Sequence, residues 1–234
     1  MKSIFCAIIA CWVLQVSAQK TIDDQVHGWV VYQGNHHMSA KFDLHTEYQW
    51  RRADGFSDWQ QSLTRIGIDY KFNPSLTFSG GYGWILTYPY GAQPIANQTN
   101  ENRFWQQVIL KQPIGNLQIQ HRYRLEQRWI DTQFKQRIRY RAQVLVPLQK
   151  SFVEQKKGLF LNVNDEVFLG FGQGIGKNIL DQNRFIGAVG YQFNKDFSVQ
   201  MGYLNQFVVK TDGIHMERNH TLWTALTYNL DFTK

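Results

Sequence analysis

The sequence predicts an all-β chain, folded as a single antiparallel up-and-down transmembrane β-barrel of roughly 10 to 12 strands. Three observations carry that expectation. Most of the chain alternates apolar and polar residues with a period of two, the pattern of strands that are apolar on one face only. The alternating segments run about 11 to 15 residues, longer than ordinary soluble strands and long enough to cross a bilayer at a tilt. Tight turns alternate with longer polar loops, and aromatic residues gather near strand ends, as in Trp50, Trp84, Trp129 and Tyr228.

The chain opens with Lys2 and the apolar run from Ile4 to Leu14, followed by Val16-Ser17-Ala18, a small-x-small cleavage pattern. Residues 1–18 therefore read as a secretory signal peptide and residues 19–234 as one barrel domain. Both cysteines, Cys6 and Cys11, fall within the signal, so the exported chain is expected to hold together without disulfides. No later stretch approaches eighteen consecutive apolar residues, which argues against a transmembrane helix. Setting Lys2 aside leaves 24 basic against 18 acidic residues, a net charge of +6. That excess suits anionic head groups or a small anionic solute. Nucleic acid is not expected, because there is no basic tail and no recognition motif.

Taken in order, Val26 to Gln33 reads as a weakly alternating first strand, and Gly34-Asn35-His36-His37 as a turn. From Lys41 the alternation is strict, with Phe42, Leu44, Tyr48 and Trp50 opposite Asp43, His45, Glu47 and Arg51. After Asp54-Gly55, Ile66, Ile68 and Tyr70 oppose Arg65, Gly67 and Asp69. Asn73-Pro74-Ser75 reverses the chain, proline presetting the turn. The next strand sets Phe78, Tyr82 and Trp84 against Ser79, Gly81 and Gly83, small residues that mark a close approach. A long loop spans about Thr87 to Asn100, a strand runs from Glu101 to Gln112, and Pro113-Ile114-Gly115 leads into the most basic part of the chain.

That part is the pair of strands His121 to Trp129 and Lys135 to Ala142. Period-two alternation puts Arg122, Arg124, Glu126 and Arg128 on one face and Tyr123, Leu125 and Trp129 on the other. Lys135, Arg137, Arg139 and Arg141 likewise oppose Phe134, Ile138 and Tyr140. A polar connection from Gln149 to Lys157 follows. Leu159 to Leu169 alternates with Phe160, Asn162, Asn164, Glu166 and Phe168, ahead of a glycine-rich loop from Gly170 to Gly176. Asn183 to Phe193, Phe197 to Phe207 and Leu222 to Phe232 complete the strands. No helix is expected. Eleven segments result; an even count would leave Val26–Gln33 outside a ten-stranded wall or require a twelfth strand.

In a membrane barrel the apolar faces meet lipid and the charged faces meet each other. The expected inner charge network, or anion lining, comprises Glu47, Arg51, Arg65, Arg103, Arg122, Arg124, Glu126, Arg128, Arg137, Arg139, Arg141, Glu166 and Arg184. Carboxylates are expected between guanidiniums, because enclosed unpaired charge is costly. Such an interior either fills the lumen with ion pairs or lines a passage for anions.

Several of these patterns resemble an uncharacterised family of outer-membrane β-barrel proteins of Gram-negative bacteria, defined by a domain of unknown function. The resemblance rests on Glu47-Tyr48-Gln49-Trp50-Arg51, Glu101-Asn102-Arg103, the HRxRLExR-type core His121 to Arg128, Arg137-Ile138-Arg139-Tyr140-Arg141, Asp165-Glu166, Asp181 to Arg184 and Gly202 to Gln206. It implies an outer-membrane barrel and no established activity.

Catalytic signals are weak. His37-Met38-Ser39 has the His-x-Ser spacing of lipid-modifying barrel enzymes, but Ala40 follows where those families tend to carry Asn. His36-His37 reads as a solvated turn, and His45 with Glu47 as lumen filling. No metal or other cofactor is implied. The function expected is that of an outer-membrane barrel of structural or small-solute/anion transport type, with outer-membrane lipid as its surroundings. The alternatives are a lipid-modifying outer-membrane enzyme and a soluble periplasmic ligand-binding β-barrel.

Overall fold

The computed structural model describes residues 20–92, 95–173, 175 and 178–233. The signal segment expected over residues 1–18 lies outside these, as do Gly174 and Gly176 of the glycine-rich loop. The described residues form β1 (Thr21–His37), β2 (Phe42–Ala53), β3 (Asp58–Asn73), β4 (Leu76–Thr87), β5 (Thr99–Ile114), β6 (Leu117–Ile130), β7 (Gln133–Pro147), α1 (Lys150–Gln155), β8 (Gly158–Gly172), β9 (Leu180–Asn194), β10 (Phe197–Val209) and β11 (His215–Tyr228). The eleven strands close into one barrel in which each pairs with its sequence neighbours and β1 meets β11. No helix among the described residues is long and apolar enough to cross a membrane.

The strand number, eleven, falls within the expected 10 to 12, and only the expected even count is corrected. Ten neighbouring pairs are antiparallel, and β1 lies parallel to β11, from Thr21 opposite His215 to Gln33 opposite Thr227. Each hairpin reverses the chain, so an odd count leaves the first and last strands pointing the same way. The segment that looked left over is a full strand of 17 residues. Its alternation is faint because both faces are apolar in its middle. Val26 and Val30 look outward, while Trp29 and Val31 turn inward onto a buried cluster with Ala188, Leu204, Trp223 and Ala225. Gly34 to His37, read as a turn, belongs to this strand, and the reversal falls at residues 38–41. There the backbone N–H groups of Met38 and Ser39 both donate to the Phe42 carbonyl.

Two further expectations need correction. The division into short turns and long loops holds only in part. One end carries the connections 38–41, 74–75, 115–116, 148–157 and 195–196; the other carries 54–57, 88–98, 131–132, 173–179 and 210–214. Thus the two-residue turn at 131–132 lies on the end with the long loop, and the ten-residue connection 148–157 lies on the opposite end. That connection also contains α1, where no helix was expected. Six residues are too few to display a 3.6-residue period. Tertiary packing holds the helix in place, with Phe152 buried and its ring 5.0 Å from that of Phe160.

Polarity is inverted relative to a soluble sandwich. Outward residues such as Ile66, Ile68, Phe104, Tyr123, Leu125 and Ile138 are exposed, whereas Glu47, Arg65, Glu126, Arg139 and Glu166 are buried. Aromatic contacts ring the outside near both ends. Phe42–Tyr70, Phe72–Phe78, Phe193–Phe197 and Phe197–Tyr228 lie toward the end with α1; Trp50–Trp59, Phe104–Trp129 and Trp129–Phe134 lie toward the other. The small inner face of β4 also finds its occupant. The Trp105 ring lies over Gly67 and Gly81, where a Cβ would come within 2.5 and 2.7 Å of its Cζ2.

Candidate functional site

Strand alternation directs the thirteen charged residues inward from seven different strands. Glu47 and Arg51 come from β2, Arg65 from β3, Arg103 from β5, and Arg122, Arg124, Glu126 and Arg128 from β6. Arg137, Arg139 and Arg141 come from β7, Glu166 from β8 and Arg184 from β9. In the middle of the barrel their side chains meet chiefly one another, together with a few further carboxylates, amides and aromatic rings.

Glu126 stands at the centre with no solvent exposure. Its Oε2 accepts from Arg137 Nη2 at 2.6 Å and Nε at 2.9 Å, and its Oε1 accepts from Arg139 Nη1 at 2.7 Å and Arg103 Nη1 at 3.4 Å. Arg65 Nη2 and Arg124 Nη1 stand slightly further off, at 3.8 and 3.9 Å. Arg139 continues the chain of charges, donating through Nε and Nη2 to Glu166, each at 2.9 Å, and Arg122 Nη2 shares that carboxylate at 2.6 Å. In the other direction Arg65 Nη1 donates to Glu47 at 2.8 Å. The result is one connected layer from β2 to β8. Each ion is desolvated, and such a layer is tolerable only because forked guanidiniums and carboxylates satisfy one another geometrically.

Sequence reasoning missed several members. Glu101, quoted only as part of a motif, takes a bidentate pair from Arg128 at 2.8 Å on each oxygen and also accepts from Arg103 Nε at 2.6 Å. Asp181 accepts from Arg137 Nη1 at 2.9 Å. Glu101 shares the parity of Arg103 on β5, so strand parity was the available signal for it; Asp181 has the opposite parity to Arg184 and reaches the layer at the irregularity in the β8–β9 register, which alternation does not reveal. The aromatic members share that parity, Phe168 with Glu166 and Trp105 with Arg103, but nothing in their residue type marked them as inner partners of guanidiniums. Phe168 lies under the guanidiniums of Arg137, Arg139 and Arg184, at 5.1, 4.3 and 4.8 Å from its ring centre, and Trp105 lies under Arg124 at 5.0 Å. These rings occupy the space that a channel would leave open, and a guanidinium over a ring face is favourably placed.

The layer separates two cavities. The larger, about 340 Å³, lies toward the α1 end and is bordered by Phe152, Arg122, Arg124, Arg141, Lys71 and Asp69. The smaller, about 170 Å³, lies toward the end with the 88–98 loop. Seven arginines line it, against one carboxylate among the described residues, Asp181.

The weak catalytic signals do not converge. His37 Nδ1 lies 3.0 Å from Asp43 and 3.2 Å from Lys71 Nζ, while Ser39 Oγ accepts from the Phe42 N–H at 3.2 Å. Among the described residues no serine hydroxyl is hydrogen-bonded to a histidine. His36, read as part of a solvated turn, is instead buried. Its Nδ1 accepts from the Leu230 N–H at 3.0 Å and its Nε2 lies 2.7 Å from Thr46 Oγ1, so it fastens the end of the chain against β1 and β2. His45 Nε2 stands 3.6 Å from Glu47, at the border of the larger cavity. No group of three or more His, Cys, Asp or Glu side chains among the described residues is arranged to hold a metal ion.

A family model described as "Protein of unknown function (DUF2490)" matches residues 26–217. The chain belongs to the DUF2490 family. The DUF2490 match takes in β2 to β10 whole, most of β1, the start of β11, and every member of the ion-pair layer. Neither a curated protein nor a solved structure matches the chain.

Proposed function

We propose that this DUF2490 protein is an integral outer-membrane barrel of a Gram-negative envelope, and that its lumen is sealed by its own side chains rather than open to diffusion. The observation that carries the reading is the Glu126 layer, buried between two separate cavities. Free passage would require breaking ion pairs that have no water to replace them. The membrane setting is supported by the apolar outer surface, the two outer aromatic rings and strands of 12 to 17 residues, which exceed the 9–11 or so needed to cross at a tilt. On this reading the end bearing α1 and the tight turns faces the periplasm. The role is structural or ligand-holding, with a basic vestibule on the outer side.

Planar-bilayer recording of the refolded chain tests it. Lipid insertion without steady conductance is the expected result. Open, anion-selective channels would replace it with the transport reading, which the arginine-rich lining of the smaller cavity favours. Recovery of the chain as a detergent-free soluble protein, absent from outer-membrane fractions, would leave the soluble periplasmic barrel.

A further inference from the structure

The smaller cavity contains two arginines that the ion-pair layer does not account for. Arg65 is taken by Glu47, Arg103 and Arg128 by Glu101, and Arg137 and Arg139 by Glu126. Arg51 and Arg184 form no ion pair with a carboxylate of the described residues. Arg51 donates only to amide oxygens, from Nε to Gln49 at 2.9 Å and from Nη1 to Gln61 at 2.7 Å. Arg184 donates from Nη2 to Gln182 at 3.4 Å, and its Nε is buried without a partner. The two come from β2 and β9, yet both guanidiniums lie against the same indole, 4.0 and 5.1 Å from the Trp29 ring. Beside them Arg65, only 5% exposed, also has a buried Nε without a partner.

Two like charges held beside one ring, with the Arg51 side chain and the Arg184 Nε buried, are unfavourable unless an anion joins them. Amide oxygens orient a guanidinium but do not neutralise it. Trp29 is itself fastened, its Nε1 donating to Gln60 at 2.6 Å, so the platform is rigid. We propose that Arg51 and Arg184, with Trp29 beneath them, bind a small tetrahedral oxyanion of the phosphate or sulfate class. Forked guanidinium donors match the oxygen spacing of such anions. The cavity, about 170 Å³, has room for the anion and a few waters. Tyr90 stands at its margin, with its hydroxyl donating to Glu217 at 3.2 Å. The site deepens the closed-lumen reading and rests on it, since an open aqueous lumen would screen the two charges.

The test is calorimetric titration of the full chain, refolded in detergent micelles, with inorganic phosphate at constant ionic strength in chloride. Saturable binding is expected, with sulfate competing and a phosphate-bearing lipid in mixed micelles not competing. Arg51→Gln and Arg184→Gln should each weaken binding about 10- to 100-fold, the usual effect of losing a charge-assisted pair. Arg218→Gln, on the outer face, should leave it unchanged. As a check independent of variant folding, phosphate should raise the unfolding temperature of the unmodified protein above that in chloride. Absence of saturable binding to the unmodified protein, or equal affinity in folded Arg51→Gln and Arg184→Gln variants, overturns the site. Competition by the lipid phosphate would overturn the free anion as its occupant. Conductance reports separately: channels together with arginine-dependent phosphate binding would remove the closed lumen and keep the site, and a silent bilayer without phosphate binding would do the reverse.

Discussion

Arg139 joins two carboxylates from different strands, donating from Nη1 to Glu126 at 2.7 Å and from Nε and Nη2 to Glu166 at 2.9 Å. Glu126 in turn faces Arg65, Arg103, Arg124 and Arg137, so one buried carboxylate is shared among five guanidiniums in the middle of the barrel. Glu126→Gln keeps the volume and removes that charge. Breaking a buried pair from one side leaves uncompensated ions, so the variant should lose about 3–5 kcal/mol of stability. Urea unfolding in micelles, followed by tryptophan fluorescence, measures it; a loss under about 1 kcal/mol would mean that water already reaches the layer.

Neighbouring glycines on β4 make a sharper test of side-chain direction. A Cβ on Gly81 would lie 2.2 Å from the Ile66 carbonyl oxygen and 2.7 Å from Trp105, whereas on Gly80 the nearest atom is 3.7 Å away. Gly81→Ala should therefore cost about 1–3 kcal/mol by overpacking, and Gly80→Ala should stay within about 0.5 kcal/mol. The same unfolding midpoints decide it.

The parallel seam can be trapped covalently. Val30 and Thr224 are register partners across β1 and β11. With Cys6 and Cys11 replaced by serine, a Val30→Cys, Thr224→Cys chain should form one disulfide on oxidation, seen as a shift in denatured gel mobility. Directly paired strand positions fall within the Cα separation that a disulfide spans. Failure to cross-link would mean that β1 lies elsewhere and that the wall has ten strands.

The 210–214 turn, at one end of the barrel, supplies a pH marker. Asp212 accepts from His215 Nδ1 at 2.6 Å and from the backbone N–H groups of Ile214 and His215 at 2.9 Å each. These bonds, the His215 side chain first, lower its pKa from 3.8 to about 2. A depressed folded pKa means that this turn's contribution is complete above pH 3.8 and lost as pH falls toward 2. A carboxyl NMR titration should place the Asp212 midpoint near 2, and Asp212→Asn should remove the acid-dependent change in the turn. A midpoint at 3.8 would show that the turn does not form.

Fold class and the direction of most side chains were legible in the alternation of the chain alone. Period-two alternation is a local property, and it separated Arg122, Arg124, Glu126 and Arg128 from Tyr123, Leu125 and Trp129 without any knowledge of their neighbours. The rest depended on closure and pairing, which join residues far apart in the chain. The parallel meeting of β1 with β11 depends on the parity of the whole strand count. The faint pattern of β1 hid it, because Trp29 and Val31 face an apolar patch contributed by β9, β10 and β11. The partners of each arginine were equally illegible. Alternation says that Arg51 and Arg139 both point inward, but only the closed wall gives Glu126 and Glu166 to Arg139 and leaves Arg51 with Arg184 over the face of Trp29.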